Sequence, residues 1–97
     1  MGYRLSLEAE EDIIDIAEEG VRLFGPAQAG RYHDELFAIF DLIAANPRTA
    51  RERFEISPLV RIHPFKTHLV VYRIEEDGDI IIVRVRHGHE DWLDGNE

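Results

Sequence analysis

A chain of 97 residues with 44% hydrophobic and 32% charged content can bury one core and is too apolar to be disordered. It contains no cysteine, which excludes disulfide frameworks, thiol nucleophiles and thiolate metal sites. No stretch reads as a secretion signal or a membrane span, so a cytoplasmic protein without membrane contact is expected.

The net charge of −9 is unevenly spread: residues 1–47 carry −7, residues 48–73 carry +4 and residues 74–97 carry −6. Neutralising phosphates requires Lys and Arg, so direct nucleic-acid binding is not expected. The basic middle segment forms a local positive patch at most.

Tyr3-Arg4-Leu5-Ser6-Leu7 alternates as a short first strand, and Ser6 is a suitable helix N-cap. Glu8, Glu10, Glu11 and Asp12 follow in the first turns, where carboxylates interact favourably with the helix dipole. Ile13, Ile16, Ala17, Val21 and Phe24 recur at spacings of three and four, predicting one buried helical face. Gly20 weakens this helix by about 1 kcal/mol relative to Ala. Gly25-Pro26 ends it and opens a second helix.

The second helix is predicted over about residues 26–45, with an apolar stripe of Ala29, Tyr32, Leu36, Ile39, Phe40 and Ile43 widened by Phe37 and Leu42. Asn46-Pro47 stops it, because a residue before proline disfavours the α region. A polar connection over residues 48–58 carries Arg48, Arg51 and Arg53. Leu59–Phe65 reads as a strand, with Pro64 favouring an edge or a bulge, and Lys66-Thr67 as a turn.

Two β-branched runs follow, His68–Ile74 and Asp79–Val85, separated by Glu75-Glu76-Asp77-Gly78. Asp77-Gly78 is a tight-hairpin signal, with positive φ favoured at both central positions. Leu69, Val71 and Arg73 fall on one face of the first run and Val70, Tyr72 and Ile74 on the other. The second run is apolar on both faces, which predicts a central strand, and Arg84 and Arg86 share one side at its end. Two arginines on one face of a strand call for a partner: helix carboxylates of this chain, or a second protein. The order β-α-α-β-β-β predicts an α+β fold, a helical hairpin packed on a mostly antiparallel sheet, with the first strand pairing beside the last.

His87-Gly88-His89, with Glu90 and Asp91 next in sequence, offers two imidazoles but no evident third ligand; solvated polar residues are the simpler reading, and no metal or cofactor is expected. The carboxylates of the first helix read as a solvated face. Trp92 is either a plug closing a sheet edge or an interface anchor.

Taken together, Tyr3-Arg4-Leu5-Ser6, Ala9…Asp12-Ile13…Ile16, Ala44-Ala45-Asn46-Pro47, Arg61 ahead of Val71-Tyr72-Arg73, and Ile82-Val83-Arg84-Val85-Arg86-His87-Gly88 make the chain resemble the RelE/ParE toxin superfamily, closer to the ParE branch. The resemblance covers roughly residues 3–92. It implies a single toxin domain over residues 1–97, the toxin half of a type II toxin–antitoxin, plasmid-stabilisation-type pair. Such a toxin forms a hetero-oligomer with its cognate antitoxin.

In the ParE branch the implied target is DNA gyrase, inhibited by protein contact without catalysis. In the RelE branch it is messenger RNA on the ribosome, cut by an endoribonuclease; an inactive member serving only as a binding module is a third reading. RelE-like enzymes resemble one another in clustering Lys and Arg, often with a terminal Tyr or His. Here Lys66 is the sole lysine and no tyrosine follows Tyr72. A nuclease built on this chain would rest on Arg61, Arg84 and His87. The antitoxin is expected to meet Arg61, Arg73, Arg84 and Arg86 on an apolar, arginine-bearing sheet face, which suits an acidic amphipathic segment.

Overall fold

The computed structural model describes residues 2–50, 52–53 and 59–88. Its elements in chain order are β1 (Tyr3–Leu5), α1 (Leu7–Phe24), α2 (Pro26–Ala45), β2 (Glu52–Arg53), β3 (Val60–Phe65), β4 (His68–Ile74) and β5 (Ile80–His87). The strands form one sheet in the order β1-β5-β4-β3-β2. Among the described strands only the β1–β5 pairing is parallel, with Tyr3 opposite Ile80 and Leu5 opposite Ile82.

The two-residue β2, lying antiparallel to Arg61 and Val60, falls within the stretch predicted as a plain connection. Two residues are too short for any alternation to register.

The helices begin and end where the sequence signals predict. The Ser6 hydroxyl accepts the Ala9 amide N–H at 3.0 Å, satisfying one of the orphan donors of the α1 N-terminus. The corner between the helices is Gly25 at φ 86°, Pro26 occupies the first turn of α2, and Asn46 caps its end.

Ala9 and Ile13 of α1 and Leu36, Phe40 and Ile43 of α2 pack on Phe65, Val70, Tyr72, Ile80, Ile82 and Val85. Tyr3 meets Phe40 edge-on at 5.4 Å between ring centroids, closing the layer near β1.

Three details depart from the periodicity. First, Val21 and Phe24, expected on the buried face of α1, are 47% and 61% exposed: Val21 lies about 80° around the helix from Ile13, and Phe24 borders an open groove.

Second, β5 is an interior strand between β1 and β4, as expected, but its register with β4 is interrupted. Val71 pairs with Arg84 and Tyr72 with Ile82, leaving Val83 without an opposite residue. This bulge shifts the alternation by one, so Ile80, Ile82 and Val85 all point into the core while Ile81 and Val83 are half-buried. An uninterrupted apolar run is what one strand needs when a bulge changes its inward parity partway along.

Third, the Asp77-Gly78 turn has only Gly78 at positive φ, 92°. The Gly78 amide donates to the Glu75 carbonyl at 3.0 Å, and the Glu75 amide to the Asp79 carbonyl at 2.7 Å. The loop therefore has three residues, a tight turn closed by a left-handed glycine, and not the two-residue form.

Candidate partner-binding face

Residues opposite one another in a ladder share a sheet face, so the register sorts the four arginines. Arg84 lies opposite Val71, Arg86 opposite Leu69 and Arg73 opposite Ile81, placing these three on the face away from the helices. Their apolar company there is Val71, which is buried, and Ile62, Leu69 and Ile81, which are half-buried. Arg61 lies opposite Tyr72, a core residue of the helix-covered face. It therefore belongs to a different environment, where its guanidinium donates to the Ala50 carbonyl at 2.6 Å.

Arg84 has an intramolecular partner. Its Nε and Nη2 donate to Asp12 Oδ2 and Oδ1 at 2.7 and 3.0 Å, the fork geometry that gives arginine–carboxylate pairs their strength. Asp12 Oδ2 also accepts the Val85 amide at 3.0 Å. This bond has a topological cause. Strand β1 covers β5 only as far as Ile82, and beyond it the edge of β5 is met by the start of α1. The Ser6 amide donates to the Ile82 carbonyl at 3.0 Å, the Ser6 hydroxyl to the Val83 carbonyl at 2.7 Å, and Asp12 accepts from Val85. The helix terminus thus continues the ladder where the strand stops.

Arg73 lies 3.7 Å from Glu75. Around the corner, Arg4 sits 3.5 to 3.8 Å from Glu75, Asp77 and Asp79, a screened surface network of modest energetic weight.

At the opposite end of the sheet His87 pairs with His68, their rings 5.4 Å apart. The Tyr32 hydroxyl is 2.5 Å from His68 Nδ1, and Lys66 Nζ is 2.6 Å from Glu35. Tyr32, Lys66, His68 and His87 border a groove of about 680 Å³ whose apolar wall includes Ile16, Leu23 and Phe24. Sequence reasoning passed over Tyr32, Lys66 and His68 because they come from separate elements. No local spacing joins a mid-helix tyrosine to a hairpin.

The three residues a nuclease would need do not converge. Arg61 stands at the Tyr72 end of β4 and His87 at the His68 end, on the strands either side of it, offset by about 13 Å along the strand direction alone at ~3.3 Å per residue. Arg84 is on the other face with Asp12. Among the described residues no group of three or more His, Asp or Glu side chains is placed to hold a metal. The side chains of Arg51 and Arg53, and His89, Glu90, Asp91 and Trp92, lie outside the described residues.

Tyr72, beneath Arg61, donates its hydroxyl to the Pro47 carbonyl at 2.6 Å. Burial pushes its phenol pKa up, against a smaller opposite pull from the Ala50 backbone and Arg61. No helix among the described residues is long and apolar enough to cross a membrane.

This arrangement of one parallel edge strand, a helical hairpin and an antiparallel meander makes an α+β domain in which, among the described residues, both helices lie on one face of the sheet. The family model describing the ParE toxin of the type II toxin–antitoxin system parDE matches residues 3–92. Toxin ParE1 of Mycobacterium tuberculosis, strain CDC 1551 / Oshkosh, is 36% identical over 89 residues, covering 92% of this chain and 91% of the relative. The same toxin from strain H37Rv matches equally well. A solved structure described as the chromosomal ParDE TA system from P. aeruginosa shares the fold with a TM-score of 0.76 at 21% identity, covering 90% of this chain and 95% of the other. The chain belongs to the ParE toxin family of type II toxin–antitoxin systems.

Proposed function

We propose that this ParE-family toxin acts in the cytoplasm by protein–protein contact with DNA gyrase, and that an antitoxin neutralises it by docking on the arginine-bearing sheet face to form a hetero-oligomer. The observation that carries the reading is the family match across residues 3–92. The chemistry of the chain supports it. A catalytic site for RNA cleavage needs cations and a proton-transfer group gathered around one phosphate, whereas Arg61, Arg84 and His87 are dispersed over two faces. The net charge of −9 also disfavours docking on ribosomal RNA.

Of the four arginines expected to meet the antitoxin, Arg73, Arg84 and Arg86 share a face and Arg61 does not, so the proposal is carried by the three. Arg84 also holds Asp12, so its removal would disturb the fold as well as the interface. Co-expression with the product of the adjacent reading frame, followed by calorimetric titration, tests the docking site. Arg73→Ala and Arg86→Ala should each weaken binding by about tenfold, the scale of losing one charge-assisted contact at an interface. Unchanged affinity in both would remove this face from the interface.

A further inference from the structure

The outer surface of α1 carries a second feature that neither the core nor the arginine-bearing face uses. Leu7, Ile14 and Val21 are 68%, 56% and 47% exposed. They recur every seven residues, so at 3.6 residues per turn they lie within about 40° of one another on the helix. Ala17 and Phe24, the latter 61% exposed, lie about 60–80° to one side of this seam, toward the groove they share with Ile13 and Ile16. The buried side of this helix, Ala9 and Ile13, is turned about 100–140° away from the Leu7–Ile14–Val21 line.

Charge sets the seam apart from an ordinary scatter of surface apolar residues. Helix α1 has seven carboxylates and one arginine. That arginine, Arg22, is held by Glu19 at 2.7 Å, and Asp12 is turned toward Arg84 at 2.7 Å. Glu11 and Glu18, both exposed and one heptad apart, border the seam where coiled-coil partners place their pairing charges. A second copy of this chain would set these glutamates against their own counterparts. It would also bring together two molecules of charge −9, which opposes association.

We propose that the Leu7–Ile14–Val21 seam is a docking surface for a basic amphipathic helix of a partner protein, with apolar residues at heptad spacing flanked by Lys or Arg. The inference is independent of the gyrase reading. The arginine-bearing sheet face calls for an acidic segment, so the two surfaces select partners of opposite charge.

The test uses a fluorescent, designed helical peptide of about three heptads, with Leu at a and d and Lys at e and g, and a second peptide with Glu in place of Lys. Anisotropy titrations against the full chain should show saturable binding of the Lys peptide, at least about tenfold tighter than the Glu peptide and weakened by added salt. Ile14→Asp should weaken it by about tenfold or more, and the double variant Glu11→Lys/Glu18→Lys should reverse the preference between peptides. Should Ile14→Asp fail to fold, Val21→Asp and the double charge variant make the same measurement. Equal binding of the two peptides, no saturable binding, or indifference to the apolar variants would overturn the proposal. So would sedimentation showing a dimer abolished by Ile14→Asp, which would make a second copy the occupant.

Discussion

Asp12 and Arg84, 72 positions apart in the chain, form a two-pronged ion pair at 2.7 and 3.0 Å that joins the first helix to the last strand. Asp12 is 13% exposed and Arg84 34% at the side chain, so the pair is screened less than a surface bridge. Asp12 also holds the Val85 amide. Replacing it with Ala removes both interactions and leaves a partly buried donor without its acceptor. Asp12→Ala should destabilise by about 2–3 kcal/mol and Arg84→Ala by about 1–2 kcal/mol. Urea denaturation of the two variants checks this; a loss below about 0.5 kcal/mol in both would show that the pair is energetically idle.

The two faces of β5 predict opposite responses to one kind of substitution. Ile82 is fully buried and Ile81, next to it, is half-buried on the other face. Ile82→Asp puts an unpaired charge in the core, a penalty of several kcal/mol against a total stability of ~5–15 kcal/mol, and should abolish cooperative folding. Ile81→Asp should leave a folded protein with a lowered melting temperature. Circular dichroism melts distinguish the cases, and a soluble, cooperatively melting Ile82→Asp would contradict the assigned core.

Gly20 reduces the helix propensity of α1, and its surroundings explain its presence. A Cβ at this position would lie 3.2 Å from the Ala29 Cβ, tighter than ordinary packing. Gly20→Leu should therefore destabilise by about 1–3 kcal/mol through overpacking at the α1–α2 contact, read by chemical denaturation. Greater stability in that variant would mean the helices have room to separate.

Much of this architecture was legible in the sequence, because the signals for it are local. Ser6, Gly25-Pro26 and Asn46-Pro47 fix the helix ends through backbone chemistry that acts within a few residues. The neighbourhood of β1 and β5 was expected from placing the first strand beside the last; its parallel direction comes from the structure. The bulge at Val83 was not legible, since an all-apolar run looks the same whichever parity faces inward. Nor was the choice of Asp12 as the partner of Arg84. Asp12 is one of seven carboxylates on its helix, and only the early end of β1 at Leu5 singles it out. The separation of Arg61 from Arg73, Arg84 and Arg86 likewise depends on cross-strand register, which no spacing along the chain records.

Burial raises the phenol pKa of both Tyr72 and Tyr3 above 10.0, and at Tyr3 the Asp41 carboxylate adds to the shift. The folded state thus holds these protons more tightly than the unfolded chain does. Their contribution to stability is whole below the ordinary tyrosine value and is lost as pH rises through the raised one. Stability should be flat across neutral pH for these groups and fall as pH rises from the ordinary tyrosine value, about 10, through the raised one. Phenolate absorbance should show Tyr3 and Tyr72 ionising late. Ionisation of Tyr3 and Tyr72 at the ordinary value would contradict the burial assigned to them.

The most direct test of the central claim is a pair of assays on the purified toxin: DNA supercoiling and cleavage-complex formation by gyrase, and cleavage of message in the ribosomal A site. The account predicts inhibition of supercoiling with accumulation of cleaved DNA, relieved by the antitoxin, while message on the ribosome stays intact. Loss of one cationic or proton-transfer group typically costs a nuclease ~10²–10³ in rate, so a working nuclease would reveal itself through His87→Ala. A-site cleavage abolished by that substitution, with gyrase unaffected, would contradict the account in favour of the endoribonuclease. Silence in both assays would contradict it in favour of a binding module.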